Sequence, residues 1–108
     1  MSQSEQIKDN NWRGVSEGAM IKDTSSWNTS GVTNSTGFSA LPAGNVWDGN
    51  FSNVSGTATW WWSSTKLSGY GTSFNDQYQS RGLQVSSNKI WRGFAYVREG
   101  LSIRCIKD

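Results

Sequence analysis

Histidine is absent from this chain of 108 residues, and cysteine and proline occur once each, as Cys105 and Pro42. Those gaps remove most of the usual catalytic chemistry. Without a histidine there is no Ser-His-Asp or Cys-His arrangement, and no zinc site of the usual His/Cys type can be assembled within one chain. A single cysteine forms no internal disulfide. Ser39, Ser63 and Ser64 stand beside aromatics but lack a base, and Lys22 and Lys66 sit at no diagnostic spacing from them. Gly37 and Gly44 flank Pro42 and fix a turn or a bulge; the pattern of a phosphate loop is missing. The residues therefore point to no enzyme and no cofactor.

Charge is scarce as well. Charged residues make up 17% of the chain and the net charge is +2, too little to argue for a nucleic acid or another polyanion. The balance is uneven, however. From Arg81 onward, Arg81, Lys89, Arg92, Arg98, Arg104 and Lys107 stand against only Glu99 and Asp108. Such a bias suits anionic ligands, and equally a solvated strand face. No run reaches the roughly 18 apolar residues of a membrane helix, so no membrane insertion is expected. The first ten residues are polar and carry no signal-peptide hydrophobic region.

What the chain has in excess is tryptophan. Seven Trp sit among only 34% hydrophobic residues, which predicts a core of a few large aromatics, each burying roughly 150–250 Å². The length suits one domain. Residues 1–11 read as a polar lead-in of a kind prone to disorder, and residues 12–108 as the domain. Val15, Ala19, Met20 and Trp27 line one side of a short helix or irregular segment, and Asn28 to Thr36 reads as a loop. Asp48-Gly49 between Asn45-Val46-Trp47 and Phe51-Ser52-Asn53-Val54 predicts a hairpin. The β-branched and aromatic density of Thr57 to Thr65 suggests a central strand. Three further strands are expected over Phe74–Val85, Lys89–Val97 and Leu101–Ile106. The expected fold is mainly β with little helix, a small antiparallel sheet domain.

Within Trp60-Trp61-Trp62, strand alternation puts Trp61 on one face and its neighbours on the other. Trp61 and Trp62 read as core, and Trp60 as the candidate for exposure. Asp48, Asn50 and Asn53 offer oxygen atoms to a calcium ion, but turn chemistry accounts for them, and no metal is expected. The sequons at Asn28, Asn34, Asn50 and Asn53 are of the sort that arise by chance in an Asn/Ser-rich chain.

Three ordered blocks are long enough to be diagnostic: Gly37-Phe-Ser-Ala-Leu-Pro-Ala-Gly44, Trp60-Trp-Trp-Ser-Ser-Thr65 and Leu101-Ser-Ile-Arg-Cys105. From about Trp27 to Asp108 the chain resembles the C-terminal half of the Fibrobacter succinogenes major paralogous domain family. That family runs Gly-Phe-Ser-Ala-Leu-Pro-x-Gly, Gly-x-Phe, Trp-Trp-Ser-Ser-Thr and then Ser-Val-Arg-Cys-Val-Lys-Asp. The resemblance implies a bacterial origin, a truncated C-type-lectin-like fold and a place at the cell surface. It also implies a scaffold from Phe38, Leu41, Trp61, Trp62 and Ile103. The upstream cysteine that partners the last one in longer relatives is missing here, so Cys105 is expected to be a buried free thiol. Arg104 is expected to meet a core carboxylate.

The family pattern is loosest between Lys66 and Gly100, where some lectin-like relatives vary their ligand surface. Trp60 and, within that stretch, Tyr70, Tyr78, Arg81, Trp91, Arg92, Tyr96 and Arg98 are the candidate ligand-binding residues, since Tyr, Trp and Arg dominate binding hot spots. About half of these are expected to face inward instead. The function that follows is non-catalytic recognition of a protein or glycan ligand. The alternative is a structural or assembly domain of a bacterial surface or appendage protein that self-associates through aromatic faces. The further partners to expect are a second copy of the chain or a complementing N-terminal half on another chain. An enzyme of the formylglycine-generating kind is the second rival, for want of a second thiol or a metal site, and nucleic-acid binding ranks lower still.

Overall fold

The computed structural model describes residues 10–47, 50–53, 56–66 and 77–105. Its elements in chain order are β1 (Asn11–Arg13), α1 (Glu17–Ile21), β2 (Asn45–Trp47), β3 (Asn50–Asn53), β4 (Ala58–Lys66), β5 (Gln77–Gln84) and β6 (Ile90–Tyr96). β1, β6, β5 and β4 form, in that order, a four-stranded sheet, and β2 and β3 form a hairpin beside it. Every pairing within the two sheets is antiparallel. The expected mainly β fold with little helix is what the chain adopts.

Strand alternation sorts the sheet's side chains. Thr59 pairs with Leu83, Trp61 with Arg81 and Arg81 with Arg92, which puts these residues on one face. Trp60 pairs with Gly82, Gly82 with Trp91 and Trp91 with Trp12, all on the other. The core lies against the first face. Trp27, Ala40 and Leu83 are buried together, and Ile21, Val32, Phe38, Trp61, Val85 and Ile90 pack around them. The layer that closes this core is therefore α1 and the long loop after it, rather than a second sheet.

The Gly37–Gly44 block shapes that loop. Gly37, Ser39 and Gly44 take φ values of 72°, 54° and 79°, a region costly for any residue with a side chain except in a well-supported turn. Asn34 supports Ser39 from both sides: its Oδ1 accepts from the Ser39 N–H at 2.9 Å, and its Nδ2 donates to Ser39 Oγ at 2.8 Å. The turn returns the chain to α1, where the Ala40 N–H donates to the Ile21 carbonyl at 2.8 Å. Trp27 Nε1 then donates to the Ala40 carbonyl at 2.7 Å, so its one polar atom is satisfied inside the core.

Lys22 is fully buried at the exit of α1. Its ammonium donates to the carbonyls of Gln84 (2.8 Å) and Ser87 (2.7 Å) and lies 4.8 Å from the Trp27 ring centroid. A buried charge is tolerated only when it is paired or hydrogen-bonded, and these acceptors tie α1 to the far end of β5. Burial still pulls the Lys22 pKa down to about 8.

Several expectations are corrected. β4 is an edge strand of the sheet, not a central one. Its outer edge is covered locally: Gly44 N–H donates to the Ala58 carbonyl at 2.7 Å, and Ser102 N–H to the Trp60 carbonyl at 2.8 Å. Of the expected strand Leu101–Ile106, the described residues through Cys105 make the single bridge of Ser102 to Trp61, where the chain seals an edge. Leu41 and Ile103 are 58% and 78% exposed and so are not core. Val15 is 80% exposed, off the packed side of α1. Cys105 is an exposed free thiol, not a buried one. Arg104 meets the Phe38 carbonyl at 3.0 Å and the Phe38 ring, in place of a carboxylate. β1 begins at Asn11, within the expected lead-in. The Asp48-Gly49 connection lies outside the described residues, while the hairpin it was expected to join is present.

Candidate functional site

The outer face of the sheet carries a row of residues at right angles to its strands. Trp60 on β4, Gly82 on β5, Trp91 on β6 and Trp12 on β1 are successive cross-strand partners. The absent side chain at Gly82 is what makes the row possible. A β-carbon there would overlap Cδ1 and Cε2 of the Trp60 ring, which leans over the glycine backbone. Gly93 plays the same part for Trp91, whose Nε1 lies 2.5 Å from where that β-carbon would stand. Trp12 meets the edge of Trp91 at a centroid distance of 5.6 Å and 65° between planes. All three indoles are half-buried. Each rests on backbone or on another ring and keeps part of its surface open.

These rings line a cleft of about 410 Å³, together with Asn45, Ser80, Gln84, Glu99 and Leu101. β2 supplies Asn45, and the chain after β6 supplies Glu99 and Leu101. Reciprocal bonds between Val46 and Gly100, at 2.8 and 3.0 Å, hold these two segments together. Glu99 Oε1 accepts from the Tyr96 N–H at 2.9 Å. Burial pushes the Glu99 carboxyl above its ordinary value, against the opposing pull of that hydrogen bond and of Arg98. The cleft thus combines flat apolar rings with side chains able to donate and accept hydrogen bonds, a mixture typical of ligand sites.

The inner face carries a second cleft, of about 550 Å³. Arg13, Arg81, Arg92 and Arg104 reach it from β1, β5, β6 and the C-terminal segment, and Glu17 reaches it from α1. Its apolar walls include Ile21, Phe38, Trp61 and Ile90. The Glu17 carboxylate accepts from the N–H groups of Val15 (2.6 Å) and Ser16 (3.1 Å). Backbone donors, Val15 first, hold its pKa down at about 2.

The candidate residues expected to share one recognition surface are therefore divided. Trp60 and Trp91 face the outer cleft; Arg81 and Arg92 face the inner one. Tyr78 meets Trp62 edge-on at 6.5 Å, and both line a shallow hollow of about 280 Å³ with Val97. Trp62 thus stands at the rim of the sheet rather than in the core cluster. Tyr96 carries the Arg98 guanidinium 5.0 Å from its ring centroid and meets the edge of Trp47 at 6.4 Å. Tyr70 and Asp48 lie outside the described residues. Sequence reasoning did not single out Trp12, Arg13, Glu17, Asn45, Ser80, Gln84 or Glu99. The first two precede the Lys66–Gly100 stretch by more than fifty positions and reach the site only through the β1–β6 pairing.

No group of three or more His, Cys, Asp or Glu placed to hold a metal ion occurs among the described residues. No helix among them is long and apolar enough to cross a membrane. Comparison with curated proteins and with solved structures finds no significant match. The family model of the Fibrobacter succinogenes major domain does match, over residues 1–107, reaching well upstream of Trp27, where the resemblance in sequence blocks begins. With nearly its whole length covered, the chain belongs to the Fibrobacter succinogenes major domain family.

Proposed function

We propose that this domain is a non-catalytic recognition module of C-type-lectin-like build, working at the bacterial cell surface, and that its outer face holds a glycan. The observation that carries the reading is the cross-strand row of Trp60, Trp91 and Trp12 over Gly82. A pyranose with equatorial substituents has an apolar face of C–H bonds and a rim of hydroxyls. Indoles suit the face; Asn45, Gln84 and Glu99, which line the same cleft, suit the rim. Trp60 and Trp91 stand two strands apart, roughly 10 Å at the usual inter-strand spacing, a separation that two linked sugar rings can bridge. Rings already braced on glycine backbone lose little freedom on binding, which favours affinity.

The test is calorimetric titration of the whole chain with chitohexaose, cellohexaose and xylohexaose, three β-1,4-linked oligosaccharides that differ in their rim groups. The reading expects saturable binding of at least one, weakened about tenfold or more by Trp60→Ala or Trp91→Ala, as for the aromatic anchors of other interfaces. No binding of any of the three, or equal binding by both variants, would overturn it. A mass that rises with concentration in light scattering, together with unresponsive sugars, would favour self-association through the aromatic face.

A further inference from the structure

We infer that the inner cleft is a second, separate binding site that takes an organic carboxylate with an apolar body. Arg81 and Arg92 are direct cross-strand partners, which places two guanidinium side chains side by side on the inner face. Arg13 and Arg104 converge on the same cleft, so four guanidiniums and the single carboxylate of Glu17 line it among the described residues. A carboxylate placed among these arginines can accept charge-assisted hydrogen bonds, for which the planar guanidinium fork is well shaped.

The arginines are also held in place. Arg81 Nη1 donates to the Ser80 carbonyl at 2.9 Å and its Nη2 approaches Gln79 Oε1 at 3.4 Å. Arg104 Nη2 donates to the Phe38 carbonyl at 3.0 Å while its guanidinium carbon lies 4.6 Å from the Phe38 ring centroid. The walls decide the rest of the ligand. Ile21, Phe38, Trp61 and Ile90 give the cleft an apolar interior, where a bare inorganic anion would lose water without gaining contact. A carboxylate on an aromatic or aliphatic frame satisfies both parts. Such a group can belong to a free small molecule or to the last residue of a peptide.

The site lies on the face opposite the tryptophan row, so its test is independent of the glycan reading. Phenylacetate, phenylacetamide, inorganic sulfate and a tripeptide ending in phenylalanine with a free carboxylate are titrated into the whole chain, with amide signals followed by NMR. Saturable binding of phenylacetate or the tripeptide is expected, with phenylacetamide and sulfate much weaker. The tighter of the two carboxylates identifies a free molecule or a chain end as the source. Arg92→Gln is expected to weaken binding about tenfold or more. Arg104→Gln, an exposed position, is expected to weaken it without loss of the fold, while Arg98→Gln, outside the cleft, leaves it unchanged. Higher salt is expected to reduce the affinity. Phenylacetamide binding as well as phenylacetate would remove the role of charge, and sulfate binding as well would remove that of the walls. Either result, or no binding of any probe, overturns the inference.

Discussion

Trp60 and Gly82 face each other across β4 and β5, and the indole of Trp60 occupies the space a side chain at position 82 would need. The two residues form one packing unit. Gly82→Ala is therefore expected to destabilise the fold by about 1–3 kcal/mol, the usual cost of an overpacked site. In a Trp60→Ala background the same substitution is expected to cost little. A double-mutant cycle by urea denaturation measures the coupling; additive effects would show that the ring and the glycine do not interact.

Gly18 is a sterner case, because its neighbours are backbone. A β-carbon there would stand 2.5 Å from the Lys89 carbonyl oxygen and 2.8 Å from that of Asn88. The Gly18 N–H also donates to the Asn88 carbonyl at 2.7 Å, docking α1 on the β5–β6 turn. Gly18→Ala, normally favourable in a helix, is expected here to lower stability by about 2 kcal/mol or more. Thermal denaturation of the variant checks the sign.

Lys22 makes stability depend on alkaline pH. Its folded pKa is lowered from 10.5 to about 8. Below pH 8 both folded and unfolded chains hold the proton. Between about 8 and 10.5 the unfolded chain keeps a proton that the folded chain has released, so this group's contribution to stability rises with pH across that window. Urea midpoints from pH 7.5 to 10.5 should show the rise, and Lys22→Met should abolish it.

Glu17 acts in the opposite range. Its folded pKa of about 2 lies below the ordinary 4.5, so its contribution is present above pH 4.5 and is lost as pH falls toward 2. Glu17→Gln should flatten the acid limb of the stability curve between those values. An unchanged limb would mean that the backbone donors, the Val15 N–H first, do not select the carboxylate.

The strands of this fold were legible because their signals are local. Asp48-Gly49 between two short β runs announced the β2–β3 hairpin, and the aromatic density around Trp61 announced β4. The site was legible in its residues but not in its arrangement. Trp91 and Arg92 are neighbours in sequence, and strand alternation sends them to opposite faces. That alternation, carried through β5 and β6, is enough to separate the tryptophans from the arginines. Other features left no such trace. Lys22 looks like a surface lysine, and only the carbonyls of Gln84 and Ser87, sixty residues away, make its burial tolerable. Cys105 and Ile103 belong to a segment that covers an edge through the backbone of Ser102, so their side chains are left outside.

Indole N–H signals offer the most direct view of the outer face. Seven tryptophans give separate reporters. Among them Trp27 is a control, buried with its Nε1 bonded to the Ala40 carbonyl. On titration with the best-bound of the three hexasaccharides, saturable shifts are expected at Trp60, Trp91 and Trp12 and none at Trp27 or Trp61. Unmoved signals from the row, or shifts confined to Trp61 and its arginine neighbours, would contradict the glycan reading.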